Sequence, residues 1–218
     1  MKLEINLMQS FRKKDFYFSV VTGIITGFVA WKVFEFLAID IGRYFSPAWM
    51  MLLVPILWII GVNLGYFLGR WFGFFNQFGK FAAIGFTNAA VDFGVLNLLI
   101  ANTDISSGGW YTVFKAISFV AAVIPSYFWN KYWAFSSNQD SSQGDALISG
   151  GGFEFAKFVS VAVVSIFINT GVASLVVNYV DPFGGLNPAT WANVGAVAGS
   201  AIALIFSFVG FKLAVFKK

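Results

Sequence analysis

KFAAIGFTNAAVDFGVLNLLI, from Lys80 to Ile100, and KFVSVAVVSIFINTGVASLVV, from Lys157 to Val177, align without a gap. Each is an apolar run of about 20 residues, which as a helix rising about 1.5 Å per residue crosses a hydrocarbon core of about 30 Å. Lys80, Phe81, Gly94 and Leu98 of the first recur as Lys157, Phe158, Gly171 and Leu175 of the second. One membrane-spanning segment is therefore used twice.

Each copy is followed by a second apolar block, at about Tyr111 to Phe135 and about Ala189 to Phe216, after the polar breaks Asn102 to Gly109 and Asp181 to Pro188. The ends of these blocks also agree, with Ser126, Tyr127, Lys131 and Phe135 answering Ser207, Phe208, Lys212 and Phe216 at the same spacing. Two hairpins are thus duplicated. Because each copy holds an even number of spans, both enter the membrane from one side, which makes the repeat parallel and not inverted. Chance likeness in a Phe-rich membrane alphabet is the competing explanation.

Ahead of the repeat lie two further apolar blocks, about Phe16 to Ala38 and about Ala48 to Gly69, separated by Asp40, Arg43 and Pro47. The stretch before them, Met1 to Lys14, has no small-residue cleavage pattern, so the first block is expected to be a retained anchor. Trp71 to Gly79, rich in Phe and Trp, suits a short link lying in the membrane interface. Ser136 to Gly152 is dominated by Ser, Asn, Gln, Asp and Gly and is expected to be a flexible linker. The expected fold is all-α and polytopic, with about six transmembrane helices. An N-terminal hairpin and its link occupy residues 1–78, and a four-helix domain of two parallel-repeat hairpins occupies residues 79–218.

Composition agrees. Of 218 residues, 58% are hydrophobic and 11% charged, against about 45–50% and about 25% in soluble domains. With no cysteine and no histidine, disulfides, thiol chemistry, imidazole bases and the commonest zinc ligands are excluded. No cofactor is expected. The net charge of +4 does not point to nucleic acid, because the basic residues sit at the ends of apolar blocks and not in a stripe. In a six-helix arrangement Lys2, Arg12, Lys13, Lys14, Arg70, Lys80, Lys131, Lys157, Lys212, Lys217 and Lys218 share one side, and Lys32, Arg43 and Lys115 take the other. The positive-inside rule then puts both termini and the linker in the cytoplasm, and the protein in the cytoplasmic membrane.

Asp92 lies about 18 Å along its helix from Lys80, near the middle of the membrane. A central aspartate costs about 2.5–3.5 kcal/mol to insert, so it should face the bundle interior or a wet cavity and have a partner. Gly85, Asn88 and Asp92 form a small polar stripe by i, i+3 and i+4 spacing, and Ala162, Ser165 and Asn169 stand at the same places in the second copy. Two such stripes would line a polar seam, for substrate contact or proton coupling; interhelical hydrogen bonding or a protonated Asp92 is the structural alternative. Glycines at four-residue spacing, Gly23 and Gly27, Gly61, Gly65 and Gly69, Gly195 and Gly199, read as close helix packing.

The residues Asn130, Lys131, Trp133, Ala134 and Phe135, preceded by the Gly85, Asn88 and Asp92 pattern, resemble the N-R-x-W-V-F motif of the GtrA-like family of small membrane proteins. The resemblance covers about Gly79 to Phe216. Lys131 replaces the family's usual arginine, Ser126 and Tyr127 stand where Asn-Phe is common, and the second copy has Phe211 and Ala214 in place of Asn and Trp. A lysine grips a phosphate as a point charge, without arginine's bidentate fork. Lys80, Lys131, Lys157 and Lys212 near aromatic rings could hold a lipid phosphate, or could be ordinary topological charges in an aromatic belt.

The resemblance implies translocation or carriage of a polyprenyl-phosphate-linked sugar for cell-envelope glycan synthesis, or a non-catalytic membrane partner for a polyprenyl-phosphate glycosyltransferase. A proton-coupled solute transporter built on Asp92 is a third possibility. An enzyme acting alone is not expected, since no metal cluster, nucleophile with base or nucleotide loop accompanies Asp92. The candidate substrate-binding residues are Asn88, Asp92, Asn130, Lys131, Trp133, Asn169 and Lys212. Expected partners are membrane lipid and the lipid-linked sugar, with a glycosyltransferase or a second copy of the chain as further candidates.

Overall fold

The computed structural model describes residues 10–39, 46–134 and 146–210, the side chains of 146–155, 157 and 208–210 excepted. Six helices follow one another: α1 (Lys13–Phe36), α2 (Met50–Leu68, led by a 3-10 turn at Pro47–Trp49), α3 (Phe75–Thr103), α4 (Gly108–Trp129, continued by a π-helical turn at Asn130–Ala134), α5 (Ala146–Tyr179) and α6 (Pro188–Gly210). Each contains a stretch long and apolar enough to cross a membrane. Among the described residues there is no strand.

Local chemistry sets the helix ends. Pro47 and Pro188 open their helical segments, where the missing N–H is no loss, and the Asn187 side chain accepts from the Thr190 N–H at 2.8 Å. α3 ends on Asp104 in the left-handed region, φ 57°, a conformation that a short polar side chain tolerates.

The six helices pair as three antiparallel hairpins, α1/α2, α3/α4 and α5/α6, and α1 and α2 both pack on α3. α4 joins α5, and α6 returns more loosely to α3, so the last four helices form a ring. Glycines set the close approaches of α1 to α2 and of α2 to α3. A Cβ on Gly23 would lie 2.5 Å from the Pro55 Cα, and one on Gly65 would lie 2.9 Å from the Phe75 carbonyl oxygen. Gly195 and Gly199 meet α5 in the same way, so these ladders are packing surfaces. Outward faces carry Leu52, Ile56, Ile60, Leu98 and Phe167, each more than half exposed. That arrangement suits hydrocarbon as the solvent.

The repeat is visible in the contacts. Asn97 on α3 and Asn193 on α6 exchange amide hydrogen bonds at 2.7 and 2.8 Å. The sequence alignment carries these positions onto Ser174 of α5 and Thr112 of α4, whose hydroxyls are 2.8 Å apart. It likewise carries the Asn88–Ser126 bond, 2.7 Å, onto Ser165 and Ser207, also 2.7 Å. The two hairpins are therefore related by a pseudo-two-fold that exchanges α3 with α5 and α4 with α6.

Two boundaries differ from the sequence expectation. α3 starts at Phe75, so the link is confined to about Gly69–Phe74, where Trp71 and Phe72 are strongly exposed and aromatic rings suit the interface. α5 starts at Ala146, inside the stretch expected to be a linker, because Ala146, Leu147 and Ile148 can continue the helix outward from the span. The remainder of that stretch, 136–145, lies outside the described residues, as do Lys212 and Phe216.

Candidate functional site

The ring of α3, α4, α5 and α6 encloses a cavity of about 530 Å3. Phe81 and Phe158, matched by the repeat, flank it at the end of the bundle where α3 and α5 begin. The opposite end is sealed by a cluster of Leu96, Ile100, Tyr111, Phe114, Ala173 and Val177 with Ala192 and Ala196, and by Tyr111 donating to the Ala192 carbonyl at 2.8 Å. Its side wall between α3 and α6 is thin. Phe86, Val197 and Leu204 line the cavity while remaining 61%, 54% and 43% exposed. A Cβ on Gly85 would come 3.2 Å from a Leu204 methyl. Only these partly exposed side chains stand between the cavity and the outer surface along the α3/α6 seam, below the Asn97–Asn193 pair.

Helical spacing places the polar stripes as the sequence predicts. Asn88 and Asp92 from α3, and Ser165 and Asn169 from α5, all line the cavity. Asn88 donates to Ser126 Oγ at 2.7 Å, and the Asn130 amide donates to the Ser126 carbonyl at 2.9 Å. Deeper in, Asn169 donates to Ser200 Oγ at 3.1 Å, and Ser200 donates to Asp92 at 3.4 Å. This chain links the two repeats across the cavity.

Asp92 has the partner its depth demands. Its carboxylate accepts from Lys115 Nζ and from Ser118 Oγ, both on α4. Lys115 is completely buried, so the residue counted in the sequence only toward the side of the membrane is also an intramembrane counter-ion. The neighbouring apolar residues concealed it, but a lysine several residues inside a span is itself a signal that an acid must lie near.

The π-helical turn at Asn130–Ala134 spreads the motif residues in different directions. Such turns occur often at functional sites. Asn130 lines the cavity. Lys131 is half-buried outside the lining residues, its Nζ 3.3 Å from the Tyr127 hydroxyl and near the faces of Tyr127 and Tyr132. Trp133 points away, buried against α1, where its indole donates to Asp15 at 3.0 Å. Lys80 is also drawn to Asp15, at 2.9 Å. Neither Trp133 nor Lys80 is therefore placed to grip a ligand in the cavity. Asp15, missed in the sequence because it sits in a mixed-charge N-terminal stretch, also accepts from the Tyr66 hydroxyl at 2.9 Å.

The GtrA/DPMS transmembrane-domain family matches residues 80–216 of the chain. The protein belongs to this family. The GtrA/DPMS match covers the four ring helices and leaves out α1 and α2. Across 117 residues the chain is 26% identical to the uncharacterized membrane protein YngA of Bacillus subtilis (strain 168), over 50% of this chain and 70% of that protein. No solved structure matches it significantly. In this GtrA/DPMS protein the cavity lies wholly within the family's helices, and the N-terminal hairpin braces one side of them.

Proposed function

We propose that the protein carries a polyprenyl-phosphate-linked sugar across the cytoplasmic membrane, with both termini on the cytoplasmic side and the cavity's Phe81/Phe158 end facing the cytoplasm. The observation that carries this reading is a cavity with mostly apolar walls and one polar stripe from each repeat, bounded toward lipid by the partly exposed residues of α3 and α6. A lipid-linked sugar has the matching form: a polar head that must leave bulk water and a long apolar tail that can stay in hydrocarbon. The role is translocation without covalent chemistry. The orientation rests on the basic-residue bias.

Proteoliposomes containing the purified protein test this directly. Transbilayer redistribution of a short-chain prenyl-phosphate glucose should be faster than in protein-free vesicles, and equal rates would overturn the reading.

A second reading is favoured by one specific feature. Residues 1–79 fall outside the family match, yet α1 and α2 are tied to the ring through Asp15. We take residues 1–78 as a separate unit whose outer face would hold a membrane glycosyltransferase. Copurification of such an enzyme, with no lipid movement by the protein alone, would favour that reading. Proton-coupled solute transport loses ground, since Asp92 would have to part from Lys115 in every cycle.

A further inference from the structure

Accepting that the cavity serves a lipid-linked sugar, its chemistry indicates which part of that molecule enters. We propose that the cavity receives an uncharged sugar ring through the hydroxyls it donates, and that the phosphate stays outside. The inference deepens the proposed function and rests on it.

Two observations point this way. First, Asn130 Oδ1 and Asn169 Oδ1 are buried acceptors with no donor among the described residues, on side chains that line the cavity and are only 6% and 1% exposed. Their amide orientations are fixed from the other side. Asn130 Nδ2 donates to a backbone carbonyl, that of Ser126. Asn169 Nδ2 donates to Ser200 Oγ, whose own proton goes to Asp92. Each oxygen therefore remains as an acceptor, and a buried acceptor calls for a donor. Sugar hydroxyls supply donors, whereas the phosphate of a glycosyl phosphodiester supplies only acceptors.

Second, among the described residues no lysine or arginine lines the cavity. The one ionisable lining group among those residues is Asp92, already paired with Lys115. An anion placed beside this pair would face a carboxylate and meet no further cation among the described side chains, and a buried charge without a partner is strongly disfavoured. A cationic sugar would fare little better, because Asp92 is already engaged. The volume of about 530 Å3 falls within the range of about 300–1,000 Å3 typical of small-molecule sites.

The test uses the full-length protein in lipid nanodiscs and three short-chain prenyl phosphates: one bearing glucose, one bearing glucuronate, and one unsubstituted. The glucosyl lipid should bind at least about tenfold more tightly than either of the others, a margin of about 1.4 kcal/mol. Asn169→Leu should bring glucosyl binding down to the unsubstituted level and leave the affinity of the unsubstituted lipid unchanged. Because the three lipids are first compared on the wild-type protein, the outcome does not depend on the variant folding. Equal binding of the glucosyl and glucuronosyl lipids would overturn the inference while leaving lipid carriage intact. Equal binding of the glucosyl and unsubstituted lipids would do the same. Binding of none of the three would overturn both.

Discussion

Trp133 and Asp15, far apart in sequence, meet where the indole N–H donates to the carboxylate at 3.0 Å. Trp133 belongs to the π-helical turn that ends α4, and Asp15 to the first turn of α1. The same carboxylate accepts from the Arg12 N–H at 2.9 Å, capping its own helix, and pairs with Lys80 of α3 and Tyr66 of α2. Four helices thus converge on one buried acid. Phe18 stacks on Trp133 with ring centroids 5.4 Å apart, so α1 holds the turn whose first residue, Asn130, lines the cavity.

Asp15→Ala removes the acceptor and leaves a largely buried lysine, an indole and a phenol short of a partner. Leaving such groups unsatisfied costs about 1–3 kcal/mol each when burial persists. Hydrogen exchange in detergent or nanodiscs should show reduced protection at the start of α1 and at the end of α4, with the α5/α6 hairpin unchanged. Unaltered protection at the start of α1 would show that packing alone holds the N-terminal hairpin.

Lys115 and Asp92 form the other buried pair, this time inside the ring. Lys115→Met leaves an uncompensated carboxylate, which should cost about 3–5 kcal/mol and lower the thermal midpoint of the purified protein markedly. Adding Asp92→Asn removes the stranded charge, so the double variant should recover most of the loss. A Lys115→Met protein as stable as wild type would mean that the pair does not hold α3 to α4.

These two pairs show which parts of the fold were legible in the sequence. Six spans, the duplicated hairpins and the Asn88–Asp92 and Ser165–Asn169 stripes follow from hydrophobic period and helical spacing, which are local properties of the chain. The partners of Asp92 and Trp133 were not legible, because they depend on how helices distant in sequence meet. Counting charges by side treats Lys115 and Lys32 alike, whereas Lys115 is fully buried and Lys32 pairs with Glu35 in the open. The motif likewise reads as one patch in sequence, and the π-helical turn separates Asn130, Lys131 and Trp133 in space.

The Asn97–Asn193 pair closes the α3/α6 seam above the cavity, and its symmetry mate is Thr112–Ser174. If a polar head must pass that level, α3 and α6 have to part there. In an Asn97→Cys/Asn193→Cys variant, a short bifunctional thiol reagent should therefore stop transbilayer movement of prenyl-phosphate glucose while leaving its binding intact. The same variant without reagent is the control. Undiminished movement after verified cross-linking would place the passage elsewhere.

Orientation can be read with one cysteine, since the chain contains none. Ser107 is exposed at the start of α4, on the side opposite to the basic ends of the helices. Ser107→Cys should react with a membrane-impermeant thiol reagent added outside intact cells. Labelling only after the cells are opened would invert the topology, and with it the cytoplasmic placement of the Phe81/Phe158 end.

Lys131 adjoins Asn130 in sequence, but its ammonium lies outside the cavity lining, beside Tyr127 and Tyr132. If Asn130 receives the sugar, the linking phosphate of the same molecule would lie near the cavity rim, on the side of Lys131. Lys131→Gln removes a cation from that phosphate, whereas Lys131→Arg keeps the charge and adds the planar fork that binds phosphate through two hydrogen bonds. Lys131→Gln should weaken binding of prenyl-phosphate glucose and of the unsubstituted prenyl phosphate by similar factors, because the lost contact is to a group they share. Lys131→Arg should bind both at least as tightly as wild type. Asn169→Leu, by contrast, should affect the glucosyl lipid alone, so the two positions would separate phosphate recognition from sugar recognition. If both Lys131 variants bind both lipids as wild type does, Lys131 serves only as a topological charge.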